Sequence, residues 1–162
     1  MRRMNEKASR ISKSSRISRD ENKCLYCGRC LMLCAAFHHA AVGTNLSAIK
    51  WSETDYFAGV PHSEPLFCLQ CPKPNCYYAC PLKDRALCID SVTGARYINQ
   101  AECDGCGLCV AACPYDVPRV SVDTDKKKAT KCDLCKDRVD GPVCVDVCTV
   151  KALTLVGREE RE

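Results

Sequence analysis

A chain of 162 residues suits one domain or two small modules, and 17 of those residues are cysteine. That share exceeds the ~8–10% at which thiols, more than apolar burial, specify a short chain, and three Phe and one Trp add little core. The formal charge of +4 belongs to the N-terminus: residues 1–23 carry eight Lys/Arg against three Asp/Glu, which leaves −1 for the rest.

No run reaches the ~18–20 apolar residues of a membrane span. The N-terminus has no apolar h-region or small-residue cleavage site, and no hydrophobic stretch follows Arg2-Arg3. A disulfide scaffold needs an oxidising compartment. The expected location is cytoplasmic, where thiols stay reduced and clustered cysteines bind metal.

In chain order, residues 1–22 are rich in Ser, Arg and Lys with Ile11 and Ile17 as branched aliphatics, a disordered composition. They read as a basic tail that docks on a partner. From Cys24 the chain repeats itself. CLYCGRCLMLC carries Cys24, Cys27, Cys30 and Cys34; no hairpin follows at once, and a connector with aromatic and polar residues runs over 35–67. CLQCPKPNCYYAC carries Cys68, Cys71, Cys76 and Cys80, and the segments 86–90 and 95–98 after it predict a hairpin around Gly94. CDGCGLCVAAC carries Cys103, Cys106, Cys109 and Cys113, followed by strand-like residues at 119–122 and 129–130 flanking a polar turn. KCDLCKDRVDGPVCVDVC carries Cys132, Cys135, Cys144 and Cys148, and 151–156 predicts a last strand.

Every copy begins CxxC and ends CxxxC, and only the middle gap varies, at two, four, two and eight residues. Fixed ends with an elastic middle imply fixed geometry joined by a loop. Three thiolates two residues apart suit three irons of a cubane, and the fourth lies one helical turn beyond the third. In two-cluster ferredoxins the fourth cysteine of such a run ligates the other cluster, so motifs work in pairs, and four copies make two pairs. Pro81 and Pro114 end the short helices of copies two and three, whereas Ala35 and Thr149 stand in the other two. Zinc is the rival metal: CxxC-x8-CxxxC alone would pass as a structural zinc site, but three closely spaced cysteines crowd a tetrahedral ion. With four loaded cubanes the formal +4 becomes roughly −4, so an acidic body carries a basic tail.

These four copies, above all CDGCGLCVAACPYDVPRV at 103–120 and KCDLCKDRVDGPVCVDVC at 131–148, resemble the four-cluster ferredoxin-type electron-transfer subunits of molybdenum and tungsten oxidoreductases. Short cytoplasmic members, such as the small iron–sulfur subunit of a tungsten aldehyde oxidoreductase, are the most similar. The resemblance implies an α+β fold of two pseudo-symmetric, bacterial-ferredoxin-like modules, with short hairpins and helices around four 4Fe-4S clusters. The outer module would comprise 23–60 plus 131–157 and the inner 61–130. It further implies one cluster on Cys24, Cys27, Cys30 and Cys148, and a second on Cys132, Cys135, Cys144 and Cys34. A third would sit on Cys68, Cys71, Cys76 and Cys113, and a fourth on Cys103, Cys106, Cys109 and Cys80.

The implied role is a non-catalytic relay of single electrons between a molybdenum- or tungsten-cofactor subunit and a flavin/NAD-linked subunit or ferredoxin, with self-association a further option. Benzoyl-CoA reductase, formate dehydrogenase, hydrogenase and CO dehydrogenase complexes are the alternative settings. From another class, a zinc-stabilised module could bind nucleic acid through the tail. The tail lacks aromatics for stacking and its body is acidic once loaded, so nucleic acid is not expected as a partner. No Ser/His/Asp, P-loop or GxGxxG arrangement is present, and no cysteine vacancy leaves an iron open for Lewis-acid catalysis. Cys88 reads as a buried free thiol. His38 and His39 read first as packing or surface residues, with cluster or partner contact as the alternative, Leu25, Tyr26, Leu69 and Leu134 as shields between ligands, and the loop over 137–143 as an exposed turn.

Overall fold

The computed structural model describes residues 15–57 and 60–157. Arg16–Arg19 form strand β1, which pairs antiparallel with the last strand, β8 (Leu153–Val156), so that Arg16 faces Val156 and Arg19 faces Leu153. This corrects the expectation of a tail over 1–22, of which residues 1–14 lie outside the described residues. Composition hid the strand because only Ile17 carries its inward face. Ile17 is 3% exposed and belongs to a core with Leu31, Ile49, Leu134 and Leu153.

Helix α1 (Arg29–His39) follows and buries Leu31, Cys34 and Ala35, the i, i+3, i+4 face of its first two turns. Strands β2 (Lys50–Phe57) and β3 (Val60–Leu66) form an antiparallel hairpin with a register shift between Thr54 and Phe57. No hairpin was expected in this connector. Pro61 and Pro65 argue against a central strand, but in an isolated two-strand ribbon a proline can sit where no ladder bond is needed. The hairpin also crosses the expected module boundary at 60/61.

Three short helices mark the other copies: α2 (Asn75–Tyr78), α3 (Leu108–Ala111) and α4 (Val143–Asp146). The hairpin expected after copy two is β4 (Leu87–Ile89) with β5 (Arg96–Ile98), and that after copy three is β6 (Val120–Asp123) with β7 (Lys128–Lys131). The last strand begins two residues later than expected, at Leu153. Helix α1 packs on α4, and α2 on α3. The apolar residues divide the same way: Cys34 and Cys144 lie in the core of Ile17, Leu31 and Leu153, and Cys109 lies in a second core with Leu87, Val120 and Ala129. Among the described residues no helix is long and apolar enough to cross a membrane.

Because Ile17 fills a core, Ile17→Ala is expected to cost about 2–4 kcal/mol and Ile17→Val about 1 kcal/mol. Thermal or denaturant unfolding of the full chain measures both; a cost within 0.5 kcal/mol of zero for the alanine, a rough surface-residue value, would return β1 to the tail.

Candidate metal centres

Each of the four motifs folds the same way at two points. The residue before the second cysteine has positive φ in every copy: Tyr26 (52°), Gln70 (49°), Gly105 (72°) and Leu134 (60°). Each short helix begins one residue before the third cysteine, at Arg29, Asn75, Leu108 and Val143. The elastic loop is absorbed between these points. Where the gap is two residues, Gly28 and Gly107 turn into the helix with φ of 70° and 80°; where it is four or eight, Pro74 and Pro142 do so in extended conformation. In the eight-residue loop Arg138 donates to the Gly141 carbonyl at 2.7 Å and pairs with Asp146 at 2.6 Å, tying the loop to α4. Val139 at its tip is exposed. Thr149 in place of proline does not lengthen α4, which also stops at four residues.

The cysteines gather into sets drawn from two motifs each. Cys103, Cys106 and Cys109 line a cavity of about 330 Å³, open to solvent at its mouth, with Cys80 as the fourth thiol. Cys68, Cys71 and Cys76 line one of about 370 Å³ with Cys113, and Cys24, Cys27 and Cys30 line one of about 410 Å³ with Cys148. The remaining thiols, Cys34, Cys132, Cys135 and Cys144, are closely packed: burial and then the charges of Cys135 and Cys34 push the Cys144 thiol up. Each set has a backbone N–H aimed at one of its sulfurs: Arg119 to Cys113 (3.3 Å), Ala129 to Cys103 (3.4 Å), Ala152 to Cys148 (3.2 Å) and Leu134 to Cys132 (3.4 Å). Thiols converging around cavities with N–H groups aimed at sulfur suit an iron–sulfur core better than a single tetrahedral zinc.

The sets also adjoin one another. Cys144 feels the charge of Cys30 after those of Cys135 and Cys34. Burial raises Cys132, and the next cause is the charge of Cys68. Burial raises Cys109 to about 11, followed by the charges of Cys103 and Cys76. The set of Cys24 thus adjoins that of Cys144, the set of Cys132 adjoins that of Cys68, and the set of Cys76 adjoins that of Cys103, which leaves those of Cys24 and Cys103 at the ends of this order. Among the described residues, Cys27 and Cys106 are the exposed cysteines, one in each end set.

Side chains outside the motifs complete the surroundings. His38 Nε2 lies 3.6 Å from Cys135 Sγ and 3.5 Å from Asp133 Oδ1, which favours the alternative of contact with a cluster ligand over packing or surface alone. Tyr115 Oη lies 3.8 Å from Cys71 Sγ. Gln70, 1% exposed, accepts the Arg96 N–H at 2.7 Å and donates to the Cys132 carbonyl at 2.6 Å, stitching two sets together. Leu134 is buried as a shield should be, whereas Leu25 is exposed. Cys88 is buried, its Sγ donating to the Arg85 carbonyl at 3.3 Å.

The description "4Fe-4S dicluster domain" matches residues 62–158. The polyferredoxin-like subunit of an aliphatic sulfonate oxidoreductase of Pyrococcus furiosus is 37% identical over 78% of this chain and 67% of its own. The electron transport protein HydN of Escherichia coli is 32% identical over 88% of each chain. The iron–sulfur subunit of formate dehydrogenase-O from the same organism is 30% identical over 83% of this chain and 50% of its own.

Two measurements test this geometry. A Cβ on Gly105 would stand 2.4 Å from the Lys127 carbonyl carbon at a φ of +72°, whereas one on Gly28, φ +70°, meets nothing within 4 Å. Gly105→Ala is therefore expected to destabilise by roughly 2–4 kcal/mol and Gly28→Ala by about 1 kcal/mol, read from unfolding curves. The second concerns pH. Burial holds the Cys30 thiol at about 11 and Cys135 at about 12. A thiol raised in this way is protonated at neutral pH and must lose its proton to bind metal, so acid opposes loading and base favours it. Iron retained against a chelator should rise as pH goes from about 6 to about 8; retention that is flat or falls over that range would contradict proton release on loading.

Proposed function

This chain belongs to the 4Fe-4S dicluster domain family, and from that premise we propose that it relays single electrons through four 4Fe-4S clusters as a subunit of a larger oxidoreductase. Multiple 4Fe-4S clusters and a general electron-transfer role come with the family. The observation that carries the finer reading is the make-up of the three cavities: each has three cysteines of one motif and the last cysteine of another. Cys34, Cys132, Cys135 and Cys144 would hold the fourth cluster in the same manner. Motifs one and four would then form an outer module and motifs two and three an inner one.

When bound, each cluster takes up and returns one electron. The chain's own residues supply thiolates, aim N–H groups at sulfur, and exclude water with Leu31, Leu87 and Leu134. Electrons would enter and leave through the end sets, at exposed Cys27 and Cys106. All sixteen motif thiols are used, which leaves the chemistry of the substrate to a catalytic partner.

That partner is a molybdenum- or tungsten-cofactor subunit of the aldehyde oxidoreductase type, with a flavin/NAD-linked subunit or ferredoxin at the other end, in the cytoplasm. Its support is that relatives matching most of this chain are named as subunits of oxidoreductases. Residues 1–14 would add a basic docking segment.

Anaerobically purified protein should be brown, with about 16 iron atoms per chain. A colourless protein containing zinc would sink the reading. Cys144→Ser should remove about a quarter of the iron and leave the signals of the Cys68 and Cys103 sets; loss of the Cys68 set to the same degree would refute the pairing. The native complex should contain molybdenum or tungsten by elemental analysis, and its absence would redirect the partner.

A further inference from the structure

The two cavities of the inner module share a backbone plan but not an electrostatic one. That of Cys68, Cys71, Cys76 and Cys113 is lined by three cationic side chains, Arg96, Arg119 and Lys131. That of Cys80, Cys103, Cys106 and Cys109 is lined by none, and includes Asp104. Lys128 reaches the Cys103 carbonyl at 2.6 Å but does not line the cavity. The end cavity of Cys24 has one cation on its wall, the exposed Arg29. The Arg19 guanidinium also stands near Cys24, but it is paired with the Glu64 carboxylate. In the remaining set, Arg138 beside Cys135 is paired with Asp146 and Asp133 adds a negative charge, while Lys50 beside Cys34 donates to the Ser47 carbonyl (3.2 Å) and the Ser121 hydroxyl (2.6 Å).

The Cys68 cavity differs from these in the number of cations on its wall and in the burial of two of them. Lys131 is 6% exposed and Arg96 9%. The Lys131 ammonium donates to the carbonyls of Arg96 (2.6 Å) and Cys132 (3.0 Å). Arg119 donates through Nη1 to the Val117 carbonyl and stacks over the Tyr115 ring at 5.2 Å. Among the described residues neither Lys131 nor Arg119 pairs with a carboxylate. Tyr115 Oη in turn reaches Cys71 Sγ.

Resting on the cluster assignment above, we propose that the Cys68–Cys71–Cys76–Cys113 site is the electron sink of the relay, its potential held above that of the Cys80–Cys103–Cys106–Cys109 site by Lys131, with Arg96 and Arg119 in support. Reduction there adds one electron from the neighbouring set and moves no proton or bond. Added negative charge beside buried cations at low dielectric is stabilised strongly, and no such compensation faces the Cys103 site. Lys131 precedes Cys132, whose thiol adjoins Cys68, so it stands where the outer module hands electrons to the inner one. It is a positioning residue: its ammonium hydrogen-bonds to backbone carbonyls and acts on the site through its field.

The test is an anaerobic redox titration of the full chain followed by electron paramagnetic resonance, with iron counted in each sample. Lys131→Met should keep the wild-type iron content. At the wild-type midpoint of the highest-potential component, the ratio of reduced to oxidised form should fall at least tenfold, which is 59 mV for one electron. The other components should hold their place, and Lys131→Arg should restore the ratio. If Lys131→Met does not fold, Arg119→Gln carries the same test, with a fall in the same component. Iron-replete protein whose highest component stays put in the variants, or in which a different component moves, overturns the inference. Wild-type protein lacking iron overturns the premise instead.

Discussion

Convergence of sixteen thiols into four sets is the constraint from which the rest of the structure follows. Buried thiols in an apolar setting are poor hydrogen-bonding groups and a weak core, and the raised Cys30, Cys109 and Cys135 show how far burial disfavours their charged form. Metal binding reverses that preference, so folding and loading are coupled. The short helices illustrate the coupling. Three of them are four residues long, well below the ~12–15 residues at which a helix holds itself in water. Each begins just before a cysteine, and the thiol on its first turn is the point at which ligation would fix it.

The same constraint explains the backbone strain. Tyr26, Gln70 and Leu134 accept a left-handed conformation that costs about 1–3 kcal/mol each for a residue with a Cβ. The turn between the first two cysteines must bring both sulfurs to one side, and the copies meet that demand whichever residue stands there. At Gly105 the demand is doubled, because the Lys127 backbone passes close by. Gln70 meets it in a different way: its amide bridges the Arg96 and Cys132 backbones, so a strained turn also binds the two halves together.

Much of this was legible in the sequence because it is local. Cysteine spacing fixes the motifs, Gly94 and the polar run at 123–128 mark two hairpins, and a terminal apolar alternation marks β8. The features that escaped depend on distant partners. Strand β1 has one buried aliphatic and exists because β8 offers it an edge. The β2–β3 hairpin carries two prolines that a central strand would not tolerate. Gln70 and Leu134 look like ordinary residues in a CxxC, and only Gly105 advertises its φ. His38 meets Cys135 across 97 residues of chain, and no spacing rule spans such a distance. Nothing in the spacing marks Lys131 and Arg96 as buried, because such residues are mostly exposed.

A buried ammonium is costly unless an opposing charge compensates it. Carbonyl oxygens satisfy the hydrogen bonds of Lys131 but supply no net negative charge. For Lys131 the Cys68 site would supply that charge, since four thiolates around a loaded cubane leave a net of roughly −2. The cations and the site thus stabilise each other, and the benefit grows when an electron is added. Because a repeated backbone would give its copies similar potentials, direction in such a relay has to come from what the repeats do not share. Here that is the side chains on the cavity walls: three cations around one inner site, an aspartate and no cation around the other.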